Sequence, residues 1–159
     1  MKALLLSTET GRVTVQVSFT GGFAGATSDS GNRKHGCAFD GNSTTFWRSR
    51  ESRPSLPSYI WYDFKNRSIK PAAISFRPRP AGYWGLRQYP SKFQFVGSVI
   101  CEELSGVRVA SIHDTKGCRV EMPPPLQTFR CLGLKALAVG DNMAESGATA
   151  LRDITIWQF

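Results

Sequence analysis

Residues 36–64 read GCAFDGNSTTFWRSRESRPSLPSYIWYDF, and two pieces of that stretch decide the fold. In the first, Asp40, Gly41, Asn42, Thr45 and Trp47 gather carboxylate, amide and hydroxyl oxygens, a residue free to take positive φ, and a large aromatic. Such a set builds a tight, oxygen-lined turn with an apolar anchor behind it. In the second, Tyr59-Ile60-Trp61-Tyr62-Asp63-Phe64 is aromatic and β-branched, the composition of a strand. The expectation is a turn feeding a buried strand, with Trp47 and Trp61 both in the core.

Outward from this centre the chain continues as short strands. Towards the N-terminus, Val13, Val15, Val17 and Phe19 alternate with polar residues, as in a strand with one wet face. Residues 20–36, TGGFAGATSDSGNRKHG, are so rich in Gly, Ser and Thr that a loop is expected throughout. Gly21–Gly25 lacks the Lys-Ser/Thr pair of a phosphate-binding loop and the spacing of a dinucleotide fingerprint. Towards the C-terminus, strands are expected at 73–76, 93–96, 107–113, 118–122, 129–134 and 154–157, with a turn at 113–117, an extended Pro123-Pro124-Pro125 and a polar loop over 140–147. No amphipathic pattern sustains three helical turns. The expected architecture is all-β, an antiparallel β-sandwich or distorted jelly-roll barrel, in one domain spanning residues 1–159.

The run Ala38-Phe39-Asp40-Gly41-Asn42-Ser43-Thr44-Thr45-Phe46-Trp47 and the strand 59–64 are followed in order by Ile74-Ser75-Phe76-Arg77-Pro78-Arg79, by Tyr89 to Ser98 and by Ala150 to Trp157. This ordered set resembles the coagulation-factor type C, or discoidin, domain family over roughly residues 13–159. The resemblance implies a galactose-binding-like β-sandwich whose ligand meets loops at one end of the barrel, here residues 26–36, 78–90 and the turn at 113–118. It also implies a structural calcium held by Asp40 and Thr45, with Asn42 contributing and Asp153 standing where the family often places Glu. The alternative is that Asp40 caps the amides of its own turn. Family members outside the cell commonly tie first and last strands by a disulfide, and no Cys lies near either end of this chain.

Composition speaks to partners. The net charge is +8, and up to Lys92 there are 14 Lys and Arg against 5 Asp and Glu, with 6 against 7 beyond it. The positive field therefore belongs to the first half, which favours anionic partners or a solvated basic surface. Within the expected loops, Arg33, Lys34 and His35 in one and Arg79, Tyr83, Trp84 and Arg87 in another combine guanidinium or ammonium groups with aromatic rings, the chemistry of a sugar or headgroup site. Tyr83 and Trp84 either meet ligand or fold back over the barrel end. The leading expectation is a non-catalytic recognition module for a cell-surface carbohydrate. The alternatives are an anionic phospholipid surface such as phosphatidylserine and a protein partner within a larger receptor or ligase. Nucleic acid is disfavoured because the aromatics form no stacking motif.

Catalytic signatures are missing from the sequence: His35 and His113 are its histidines, and no G-x-S-x-G, H-E-x-x-H or paired-carboxylate pattern occurs. Cys37, Cys101, Cys118 and Cys131 lack zinc-site spacing and can form two disulfides or remain thiols. Asn42-Ser43-Thr44 and Asn66-Arg67-Ser68 would permit glycosylation in a secretory setting. No apolar run reaches the roughly 20 residues of a membrane span. Leu4-Leu5-Leu6 is cut short by Ser7–Thr10 and is not read as a targeting segment.

Overall fold

The computed structural model describes residues 6–7, 13–50, 57–79, 88, 90–101, 104–111, 118–121, 127–139 and 148–159. Eleven strands run through them: β1 (Leu6–Ser7), β2 (Thr14–Gln16), β3 (Phe23–Ala26), β4 (Trp47–Arg48), β5 (Ser58–Asp63), β6 (Pro71–Arg77), β7 (Pro90–Ser98), β8 (Ser105–Ser111), β9 (Cys118–Glu121), β10 (Cys131–Val139) and β11 (Ala150–Gln158). A single 3-10 helix, His35–Ala38, is the helical turn among the described residues. One sheet has the order β1-β2-β11-β6-β9, with β4 also paired to β11, and the other the order β3-β5-β10-β7-β8. Every pairing is antiparallel. The chain is an all-β antiparallel sandwich of two sheets, as its strand periodicity implied.

The core lies between the sheets and is built by alternation. Ile60 and Tyr62 of β5, Leu132 and Leu134 of β10, and Phe93 and Phe95 of β7 face Ile74 and Phe76 of β6 and Ile154 and Ile156 of β11. Phe76 meets Phe93 edge-on across the sheets, with centroids 4.9 Å apart. Phe19, Phe39, Tyr62 and Phe64 form a second aromatic group, with Phe19 touching each of the other three. Trp47 is fully buried, as expected of the anchor.

Three expectations need correction. Trp61 is half-buried on the outer face, because β5 alternates with Ile60 and Tyr62 inward. The stretch 20–36 is not all loop: Phe23–Ala26 is a strand paired with β5. Its small residues are what admit the pairing, since a Cβ at Gly25 would press on the Trp61 indole. At the N-terminus the strand is only three residues long. Thr14 is buried while Val13 is 60% exposed, so the valine alternation marks the wet face incorrectly there.

The register also fixes which loops are neighbours. Ala26 pairs near the start of β5, Arg77 pairs near the start of β11, and the start of β7 pairs with both the end of β10 and the end of β8. Phe76, near the end of β6, pairs with Cys118 at the start of β9. The strand ends that launch the connections after β3, β6, β8 and β10 therefore share one end of the sandwich. At the opposite end a disulfide joins Cys101 to Cys131, with Cα atoms 5.4 Å apart, while Cys37 is a free thiol. Arg130 there grips Asp63 through Nε and Nη2 at 2.9 and 3.0 Å.

Candidate functional site

The long connection from β3 to β5 supplies most of the described groups at the loop end. Gly31, at φ +55, lets Ser30–Arg33 close as a tight turn, and the turn is laced to β4 because Ser30 N donates to Arg48 O and Arg48 N to Arg33 O. The Trp47 indole N–H donates to Ser28 O at 3.0 Å and holds the loop from beneath. These bonds fix where Asp29, Arg33, Lys34 and His35 stand.

Asp29 accepts twice from one residue. Its Oδ1 takes the His35 backbone N–H at 2.9 Å and its Oδ2 the ring Nδ1 at 2.8 Å. A carboxylate can only accept, so Nδ1 carries the proton and Nε2 of the neutral ring is an acceptor. The side chain remains 36% exposed. Asp29 thus orients a histidine whose free nitrogen can receive a hydroxyl proton.

The same end of the sandwich carries a cluster of arginines. The guanidinium carbons of Arg33 and Arg79 sit 4.2 and 4.4 Å from the ring centroid of Phe46, a buried residue. Arg79 Nη1 donates to Gln88 Oε1 at 2.7 Å, and Arg48 Nη2 to Ser30 Oγ at 2.7 Å. Desolvation pulls the Arg79 pKa below its ordinary value, and the positive charges of Arg48 and Arg33 act in the same direction. Gln88 is itself buried, and its carbonyl accepts from Ala150 N. Ser49, Ser58 and Thr149 are likewise buried and hydrogen-bonded to one another, so a satisfied polar layer supports the cluster.

The oxygen-lined turn forms as expected. Gly41 has φ +70, Asp40 Oδ1 accepts Asn42 N at 2.9 Å, and Asn42 Oδ1 accepts both the backbone N and the hydroxyl of Thr44. Thr45 Oγ1 lies 2.6 Å from Asp40 Oδ2, 3.1 Å from Asn42 O and 3.3 Å from Cys37 O. These oxygens close the turn on itself, since Asn42 O also accepts Thr45 N at 3.2 Å and Asp40 caps the Asn42 amide, and they are hard donors of the type calcium takes. Asn42 enters this set through its carbonyl, since its side chain is engaged by Thr44. Asp153 sits at a bulge of β11 with φ +50, its carboxylate 3.7 Å from Arg152 Nη1. It lines an outer-face cleft of about 410 Å³ together with Gly41, Gln16, Phe19 and Arg77, which places the turn beside the bulge.

Of the residues expected to meet ligand, Arg33 and Arg79 come together on Phe46, with Lys34 and His35 on the same loop as Arg33. Tyr83, Trp84 and Arg87 lie outside the described residues, as does most of the turn at 113–118. Sequence reasoning passed over Asp29, Phe46 and Gln88. Asp29 precedes His35 by six residues in a Ser-rich loop, a spacing with no recognised meaning, and Phe46 reads as core beside Trp47.

No protein-family model and no curated protein matches this chain. Solved structures do. The family 32 carbohydrate-binding module of Clostridium perfringens NanJ, in complex with galactose, is 16% identical with a TM-score of 0.73, over 91% of this chain and 99% of that one. A further Clostridium perfringens module of that family, in complex with GalNAc-β-1,3-galactose, is 15% identical with a TM-score of 0.73, over 89% and 98%. The C-terminal domain of a chitobiase from Bacteroides fragilis is 20% identical with a TM-score of 0.69, over 91% and 97%. At these identities the likeness establishes architecture: the chain has the galactose-binding-like β-sandwich that family 32 carbohydrate-binding modules share with discoidin domains.

Proposed function

We propose that this chain is a non-catalytic carbohydrate-recognition module of the discoidin-like kind, acting at a cell surface through the loop end of its sandwich. The observation that carries the reading is that an Asp29-oriented His35 and the Phe46-packed Arg33 and Arg79 guanidiniums stand on connections at that one end. Guanidinium N–H groups donate to sugar oxygens and His35 Nε2 accepts a hydroxyl proton, while Tyr83 and Trp84, outside the described residues, are the rings expected to stack on sugar. That structural neighbours hold galactose and GalNAc-β-1,3-galactose supports the choice of ligand class. The Cys101–Cys131 disulfide suits an oxidising compartment, as a cell-surface protein requires.

In this proposal calcium orders the turn rather than touching sugar. Asp40, Thr45 and the carbonyls of Cys37 and Asn42 would hold it, with Asp153 beside them. Adding calcium to chelator-treated protein is expected to raise the melting temperature, by about 2.7 kcal/mol of stabilisation at a hundred times the dissociation constant, and Thr45→Val to abolish the response. An unchanged melting temperature removes calcium from the account.

The test of the ligand class is a display of neutral glycans, charged glycans and phosphatidylserine probed with the intact protein. Glycan-dependent signal that His35→Ala weakens is the expected result. Signal on phosphatidylserine alone would transfer the site to a lipid surface, and a blank display would transfer it to a protein partner.

A further inference from the structure

Resting on the carbohydrate reading, we infer that the loop-end site selects sugars bearing an oxyanion substituent, a carboxylate or a sulfate ester, held between the Arg33 and Arg79 guanidiniums. Both are packed against the one Phe46 ring, 4.2 and 4.4 Å from its centroid, and Arg33 is near enough for its charge to act on Arg79. Arg79 is half-buried and tethered by the buried Gln88, which fixes its direction before ligand arrives. Arg48, held by Ser30, adds a third positive charge close enough to act on Arg79.

Neither Arg33 nor Arg79 forms an ion pair with a carboxylate among the described residues, and both oxygens of Asp29 are taken by His35. A neutral sugar presents hydroxyls that donate as well as accept, and a site matched to it offers both. Among the described side chains here, Arg33, Lys34 and Arg79 can only donate, while His35 Nε2 can accept. A donor-rich, partly desolvated, positively charged site is matched by a group that only accepts and carries negative charge. The outer-face cleft shows no such bias, since Arg77 and Asp153 both line it.

Galactose, galactose 6-sulfate and galacturonic acid present one ring with a neutral, a sulfate or a carboxylate substituent. Titration calorimetry of the intact protein against each is the test, with phosphatidylserine vesicles as a separate arm. At least one charged sugar is expected to bind about tenfold or more tightly than galactose, as charge-assisted hydrogen bonds allow. That preference should shrink as salt rises and fall to about parity in Arg33→Gln and Arg79→Gln. The exposed Arg33→Gln keeps the test valid should Arg79→Gln fail to fold. Whether sulfate or carboxylate wins identifies the substituent. Galactose binding as tightly as both charged forms, or a charge preference that survives both variants, overturns the inference and leaves the carbohydrate reading in place. Binding to vesicles and to none of the sugars overturns the inference, and a display free of any glycan signal overturns the reading beneath it.

Discussion

A methyl group on Gly133 would collide with the carbonyl oxygen of Ile60 and with the Cα and Cβ of Trp61, none of which can move without disturbing the β5–β10 ladder. At Gly25 the same methyl would meet only the edge of the Trp61 ring, a side chain with some freedom to turn. Gly133→Ala is therefore expected to destabilise by about 1–3 kcal/mol, as overpacking does, and Gly25→Ala by less; thermal melts of the two variants give the order. The tryptophans separate in the same way. Trp47→Ala, which empties a fully buried site, should cost about 3–5 kcal/mol, and Trp61→Ala clearly less. Equal losses would contradict their placement. Trp47 was legible as the anchor because it follows an oxygen-rich turn. Trp61 was misplaced because its bulk suggested core, whereas the parity of Ile60 and Tyr62 already pointed it outward.

At the scale of elements, the Arg130 hydrogen bonds hold the Asp63 carboxyl below its ordinary pKa, against the opposing effect of desolvation, and the Lys65 amide adds to the lowering. A depressed carboxyl stabilises the fold at pH values above its unfolded-state range, about 4. That contribution is lost as pH falls through the lower, folded-state value. Denaturation profiles between about pH 5 and pH 2 should show Asp63→Asn to be less stable than the parent at the upper end and to converge with it at the lower. A constant gap would mean that the pair contributes nothing through ionisation. The strands were legible where β-branched and aromatic residues alternate, as in β5, and where turn residues bound them. β3 was not, because Phe23-Ala24-Gly25-Ala26 has little strand propensity of its own and pairs only because Trp61 leaves room for nothing larger. Tertiary fit overrode local preference there.

At the scale of the molecule, antiparallel register gathers the connections after β3, β6, β8 and β10 at one end, and two of the first half's arginines, Arg33 and Arg79, meet there on Phe46. The sandwich was legible from strand spacing and turn chemistry. That Arg79 comes together with Arg33 of the 26–36 loop was expected through resemblance rather than spacing, and residues 80–87 lie outside the described ones. The partners that position the site were not: Asp29 on His35, Phe46 beneath two arginines and Gln88 beneath Arg79 are contacts between residues 6 to 33 positions apart, and no local pattern announces them. The central claim is that sugar binds at this end of the sandwich. Its most direct test is chemical-shift mapping of isotopically labelled protein titrated with galactose and then galactose 6-sulfate. The account predicts shifts concentrated on residues 28–36, on Phe46 to Arg50 and on Arg79, larger with the sulfated sugar. Shifts at the disulfide end around Ser98 to Cys101, or no saturable shifts with either sugar, would contradict it.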